Sequence, residues 1–477
     1  MADLAATGRR TTPARRVAGR VALAAAVAVA AALAGPAAAH AAPAPGRAVV
    51  VRLEPGRDPD AGAREAAARG ARVTHVYRDV FPGYAAVLPP GGLRGAEGGP
   101  GVVGVDPDTP VRRAVAPAPE PAIPADPTGP VGGPDDGQDD GAVRGAAASW
   151  GLDRVDQRAL PLSGTYTPDP APGRGVTAYV VDGGVDAEHR DLGGRVRAGF
   201  TAIDDGRGTG DCEGHGTHVA GTIGGAAYGV APAVTLVAVR TLDCSGSGET
   251  SGIVAGLDWV ARDHRRGTPA VANLSLAGDP SDAVDAAVRG LVADGVTVTV
   301  AAGNEDADAC GSSPSREPAA LTVAATARDD SRAPFSNRGS CVDLFAPGVD
   351  VVSDGGTGPT ATRTLSGTSM ASPHVAGAAA LLLGAEPTLT PAQVAARLLA
   401  AATPGAVRGE RRGDPDRLLY VGPAAPAASS PRPAPGTPPA GTPALRRPGT
   451  PGPEPEARSS PAAARGDDGG AAIAPRP

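Results

Sequence analysis

Across residues 149–422, apolar runs alternate with segments of helical period, and no other feature limits the fold so strongly. The runs VTAYVVD (residues 176–182), VTLVAVRTL (234–242), VANLSL (271–276) and VTVTVAAGN (296–304) are apolar over most of their length. Between them lie a helix predicted to begin at His215 and the amphipathic segments GIVAGLDWVARDHR and SDAVDAAVRGLVADG. A strand that is apolar on both faces is buried on both. The expected fold is therefore α/β, a parallel sheet covered by helices on each side. In such sheets reactive groups gather beyond the carboxyl ends of the strands, and Asp182 and Asn304 close two of these runs.

The flanking segments read differently. In residues 1–41, Arg9, Arg10, Arg15, Arg16 and Arg20 precede an uncharged apolar stretch (21–33) and the small-residue pattern Ala39-His40-Ala41. This is the pattern of a removable export signal. The stretch is too short for a bilayer span, and no later segment offers one. A secreted, extracellular product is expected. Residues 42–115 give strand patterns at 48–53, 72–77, 84–88 and 102–106. A helix is predicted at 60–69, and the Gly-rich stretch GGLRGAEGG stands where a second helix would fall. That order suits a small ferredoxin-like α+β domain. Residues 116–148 are rich in Pro, Gly and Asp, and residues 423–477 in Pro and Ala. Both are expected to be disordered, the first an exposed linker open to a maturation cut. The 44 basic residues, all arginine, against 51 acidic ones give a net charge of -7. A nucleic-acid partner would call for a basic surface. Four cysteines in an exported chain are expected to pair, and they allow three connectivities.

The stretch GTSMASPHVAG (367–377) leads small residues into Ser369 near the start of an Ala-rich helix. The positive end of the helix dipole and free N–H groups there would stabilise an oxyanion. A serine hydroxyl needs a base and a carboxylate to orient that base. His215 and His218 stand in DCEGHGTHVAGTIGG. Their i, i+3 spacing, with no glutamate between them and no evident third ligand, argues against the zinc site of an HExxH helix. His215 is the candidate base and His218 a structural residue. Asp182 at a strand tip could orient the imidazole, and the Asn304 amide could donate to an oxyanion. Taken singly, Asp-Gly after a strand and Asn after Gly are common turns. A zinc hydrolase and a catalytically silent binding protein are the rival readings.

Together, WGLDRVDQRALPL, HGTHVAGTIGG, VAAGNEDADAC, FSNRGSCVDLFAPG, GTSMASPHVAG and DRLLYVG resemble the subtilisin-like serine peptidases of the proteinase K and aqualysin branch. HVYRDVFPGYAAVL and GVVGVDPDTPVR resemble the inhibitory propeptide that precedes such domains. The resemblance implies a triad of Asp182, His215 and Ser369, in the chain order known for subtilisins, with Asn304 as oxyanion donor. It implies a peptide-binding edge at Gly246, Ser247 and Gly248 and an opposite edge at Ser275, Leu276, Ala277 and Gly278. Ala301, Ala302 and Gly303 would complete a primary pocket of small, uncharged walls, suited to a large apolar or aromatic side chain. It implies the disulfides Cys212–Cys244 and Cys310–Cys341. It also implies a structural calcium on Asp343 and the carbonyls of Pro318 and Ala320, with no metal in the chemistry. The product would be a monomeric, self-maturing endopeptidase that acts on polypeptides and is inhibited by its own propeptide. Gly183, Ala277 and Arg338 depart from the usual family residues Thr, Gly and Tyr.

Overall fold

The computed structural model describes residues 46–116, 145–167, 172–356 and 358–422. The expected signal segment, most of the linker and the carboxyl-terminal tail lie outside the described residues.

Among these residues a nine-stranded sheet runs in the order Thr403–Pro404, Arg417–Leu418, Leu344–Pro347, Leu321–Thr326, Thr297–Ala301, Ala270–Leu274, Thr177–Asp182, Thr235–Arg240, Val196–Thr201. Neighbours are parallel except the first two, which are antiparallel. Successive side chains of a strand point to opposite faces. Ala178 and Val180 accordingly join a core with Val219 and Ile223 of the helix His215–Gly224 and Met370 and Val375 of the helix Thr368–Ala385. Tyr179 and Val181 face the other way, toward Ile253 and Leu257 of the helix Thr250–Asp263 and Val284 and Val288 of the helix Asp282–Asp294. Each fully buried Val or Leu contributes about 1.5–3 kcal/mol relative to exposure. The double coverage is why these strands read as unbroken apolar runs.

The amino-terminal domain is a four-stranded antiparallel sheet ordered Arg72–Tyr77, Gly83–Leu88, Arg47–Leu53, Val102–Pro107. The helix Pro59–Ala68 starts at Asp58, whose carboxylate accepts the Asp60 N–H, and proline sits at the helix start, where its missing N–H costs nothing. The Gly-rich stretch yields only the five-residue helix Leu93–Glu97. Val49, Val51, Ala63, Ala66 and Tyr84 form this domain's own core. Its opposite face is not left to water. Val50, Tyr77, Val80 and Ala85 pack into the core beneath the helices Thr250–Asp263 and Asp282–Asp294.

Polar contacts fix the register of that docking. Asp258 Oδ1 accepts the N–H groups of Arg78, Asp79 and Val80 at 2.8, 2.6 and 3.1 Å. Tyr77 O–H donates to the Ser251 carbonyl at 3.0 Å. Asp108 accepts from Ser251 N–H and O–H at 2.8 and 2.7 Å, satisfying first-turn donors of the helix Thr250–Asp263.

The linker expected over residues 116–148 is shorter at both ends. Ala116 N–H is bonded to the Ser366 carbonyl at 3.0 Å, and Gly145–Ala146 pairs antiparallel with Thr165–Tyr166. Both segments are ordered because their backbone groups find partners on the larger domain. The cysteines pair as Cys212–Cys244 and Cys310–Cys341. Closing loops of this size stabilises by about 3–4 kcal/mol each in the chain-entropy model. No described helix is long and apolar enough to cross a membrane.

Candidate active site

The strand Thr177–Asp182 is flanked on both sides by strands from later in the chain, Thr235–Arg240 and Ala270–Leu274. Asp182 is its last residue and is fully buried. Its Oδ1 accepts the Gly183 N–H at 2.7 Å and lies 2.8 Å from His215 Nδ1. That contact puts the Nδ1 proton toward the carboxylate and leaves Nε2 to act. His215 opens its helix and is 2% exposed, and its Nε2 is buried with no hydrogen-bond partner among the described residues.

Ser369 is the second residue of the helix Thr368–Ala385 and is fully buried. Its O–H donates to the Ser275 carbonyl at 2.9 Å rather than to His215. Pro373, four residues on, has no N–H with which to bond the Ser369 carbonyl in the helical pattern. The Ser275 hydroxyl takes that role, donating to Ser369 O at 2.8 Å. Ser275 is itself held by Asn273, whose Nδ2 donates to Ser275 Oγ at 2.9 Å. Asn273 Oδ1 accepts from Ser372 and Thr299 at 2.7 and 3.0 Å. This buried, mutually satisfied network fixes the serine's turn to the strand Ala270–Leu274. Asn273 was not among the expected site residues. Its signal was a polar amide inside the apolar run VANLSL.

Asn304 is oriented by Thr368, whose N–H and O–H both donate to Asn304 Oδ1, at 2.9 and 3.0 Å. With the carbonyl end committed, Asn304 Nδ2 is buried and without a hydrogen-bond partner among the described residues. Ala301 ends the strand Thr297–Ala301, and the Gly303 N–H donates to Thr368 Oγ1 at 3.1 Å. Ala301, Ala302 and Gly303 are all buried.

The two expected peptide edges face each other with a strand between them, and that strand is the chain's own. Pro110–Arg113 pairs antiparallel with Ser247–Glu249 on one side and with Leu276–Gly278 on the other. Arg113 N–H donates to the Gly246 carbonyl at 3.0 Å, and Ala114 N–H to the Ser275 carbonyl at 3.1 Å. The Ala114 carbonyl then accepts the Ser369 N–H at 3.1 Å.

The other histidines near the site are spectators. His218 Nε2–H donates to the Val351 carbonyl at 3.0 Å, and burial lowers its pKa to about 3. His374 Nδ1–H donates to the Met370 carbonyl at 2.8 Å, and burial lowers its pKa to about 4. Gly183 has open space where a side chain would begin, so its departure from the family pattern crowds nothing. No group of three or more His, Cys, Asp or Glu side chains able to hold a metal occurs among the described residues. Asp343 lies beside the start of the strand Leu321–Thr326, where its Oδ2 accepts the Thr322 N–H at 2.8 Å. Burial pushes its carboxyl up.

The chain matches the model of the subtilase family, Peptidase_S8, over residues 173–419. It belongs to that family. An extracellular serine proteinase of Thermus sp. (strain Rt41A) is 47% identical over 379 residues, 78% of this chain and 85% of that one. The alkaline serine exoprotease A of Vibrio alginolyticus is 51% identical over 276 residues, 57% of this subtilase and 50% of the Vibrio protein, so the match spans half of that relative. The crystal structure of a cold-adapted subtilisin-like serine proteinase aligns with a TM-score of 0.55 at 51% identity, covering 58% of this subtilase and 98% of that chain. This subtilase therefore has the subtilisin-like fold and belongs to a family of serine peptidases, which act on polypeptides.

Proposed function

We propose that this subtilase is a secreted, self-maturing serine endopeptidase whose first substrate is its own Ala114–Val115 bond. The observation that carries the reading is the Ala114 carbonyl on the Ser369 N–H, with residues 110–113 seated as a strand in the groove.

In this mechanism Ser369 O–H turns from the Ser275 carbonyl toward His215 Nε2, which takes its proton as Oγ attacks the Ala114 carbonyl carbon. Asp182 holds the imidazole and balances the charge it gains. Negative charge developing on the Ala114 oxygen meets the Ser369 N–H already bonded to it and the Asn304 amide, which has no other partner among the described residues. Collapse breaks the bond to the Val115 nitrogen, which takes the proton from His215, and leaves Ala114 esterified to Ser369. Water, deprotonated by His215, releases the acid. The amino-terminal domain stays docked through Asp258, Tyr77 and Asp108 and acts as inhibitor until it is lost.

The groove supports endopeptidase action, because peptide runs through it on both sides of the scissile bond: Ala116 N–H is bonded to Ser366 O. Small, uncharged walls at Leu276–Gly278 and Ala301–Gly303 support broad use of apolar or aromatic side chains in the primary pocket. In the chain itself the small Ala114 occupies the residue position before the cut. A calcium ion would be held by Asp343 with the Pro318 and Ala320 carbonyls. Such hard oxygen donors suit it, and its charge would offset the burial that raises Asp343. Its contribution would be to stability.

The test is labelling with a serine-reactive phosphonate probe alongside hydrolysis of a denatured protein substrate. The matured protein is expected to hydrolyse the substrate and to carry the label on Ser369. Hydrolysis with no label on Ser369, or no hydrolysis by folded protein freed of its amino-terminal domain, would overturn the reading.

A further inference from the structure

One carboxylate in the groove has no part in the mechanism. Glu213 stands two residues before His215, and its carboxylate forms an ion pair with the Arg113 guanidinium. Arg113 is the penultimate residue on the acyl side of the bond presented to Ser369. Both side chains are largely shielded from solvent, 22% and 30% exposed.

The surroundings hold this contact in place. Asp211 accepts the N–H groups of Glu213 and Gly214 at 2.9 and 2.7 Å on Oδ1, and the Thr217 N–H and O–H at 2.9 and 2.7 Å on Oδ2. The turn carrying Glu213 is thereby fixed to the His215 helix. The Cys212–Cys244 disulfide ties the same turn to the loop that carries Gly246. Gly246 has φ +74°, and a Cβ built there would lie 2.7 Å from Arg113 Cδ. The absence of a side chain at Gly246 is thus what lets the arginine stem lie over this loop toward Glu213. Burial raises the Glu213 carboxyl, but the Arg113 guanidinium beside it, together with His215 and Arg363, outweighs burial and holds it below the usual range. His215 and Arg363 also face Glu213. Arg363 lies 3.5 Å from Oε1 and bonds the Glu213 carbonyl, so it remains when the substrate leaves.

We propose that Glu213 is a specificity-determining residue that selects arginine or lysine as the penultimate acyl-side residue of the polypeptide substrate. The proposal rests on the reading of Ala114–Val115 as a scissile bond. The primary pocket keeps its uncharged walls, so the preferred sequence is basic at the penultimate position and apolar at the residue before the cut.

The test uses the matured enzyme and quenched fluorescent peptides identical except for Arg, Lys, Ala or Glu at the penultimate position. Arg and Lys peptides are expected to exceed the Ala peptide in kcat/KM by about 3–30-fold, the range of a half-screened ion pair, with Glu below Ala. Within the parent enzyme that ratio should shrink toward one as salt rises from about 0.05 to about 0.5 M. In Glu213→Gln the Arg-to-Ala ratio should collapse to within about 2-fold whatever the absolute rate. A purely structural Glu213 would alter all four peptides alike. Equal rates for Arg and Ala in the parent, or a ratio unchanged in Glu213→Gln, would overturn the proposal. Should the parent hydrolyse none of the peptides, the peptidase reading itself fails, and this one with it.

Discussion

The Asn304 side chain shows how little of a proposed oxyanion donor is carried by its identity. Its oxygen is saturated by the Thr368 N–H and O–H, which leaves the amide nitrogen buried and without a hydrogen-bond partner among the described residues. A buried donor without a partner costs about 1–3 kcal/mol, a cost recovered when an oxyanion forms. Asn304→Ala is therefore expected to lower kcat with KM within about 3-fold of the parent. The loss, about 10²–10³, is the size known for the oxyanion asparagine of a subtilisin. Steady-state kinetics on one peptide checks it, and a change confined to KM would contradict the role. Asp182 and Asn304 could be singled out in the sequence because each closes an apolar run beside small residues, and His215 and Ser369 because each stands among small residues at the start of a helical segment. Asn273 showed only as a polar amide inside an apolar run, and Glu213 not at all. Asn273 matters only through Ser275, Ser372 and Thr299, and Glu213 only through an arginine a hundred residues earlier in the chain.

At the scale of elements, the helix Asp282–Asp294 carries the clearest evidence that one domain is shaped for the other. A Cβ at Gly290 would lie 2.2 Å from the Val80 carbonyl of the amino-terminal domain. In an isolated helix, alanine there would stabilise by about 0.5–1 kcal/mol. Against the docked domain it forces backbone apart, at about 1–3 kcal/mol. Gly290→Ala should thus weaken retention of the cleaved amino-terminal fragment by about 10-fold or more and shorten the lag before activity appears, while the matured domain melts no lower than the parent. Fragment co-elution on size exclusion and the melting temperature measure the two halves. Tighter retention of the fragment would contradict the account. The long strands and helices were legible because double coverage of a sheet leaves continuous apolar runs. The groove strand Pro110–Arg113 was not, since its partners, the short strands Ser247–Glu249 and Leu276–Gly278, lie far away in sequence. Nor was the order at residues 145–148, which comes from pairing with Thr165–Tyr166.

For the whole molecule, the decisive feature is that two conditions hold in one uncut chain. Gly145–Ala146 is already paired with Thr165–Tyr166 on the peptidase domain, while Ala114 already lies against Ser369. Residues 117–144 join the two points, so cutting Ala114–Val115 requires no refolding of the peptidase domain. The central claim is that this bond is cut by Ser369. It is tested most directly by expressing the chain beside Ser369→Ala and measuring the exact mass of the released amino-terminal fragment, whose carboxyl end is unaffected by later trimming of the linker. The account predicts a parent fragment that ends at Ala114 and a Ser369→Ala chain that stays joined. A fragment ending elsewhere, or the same cut in purified Ser369→Ala, would contradict it.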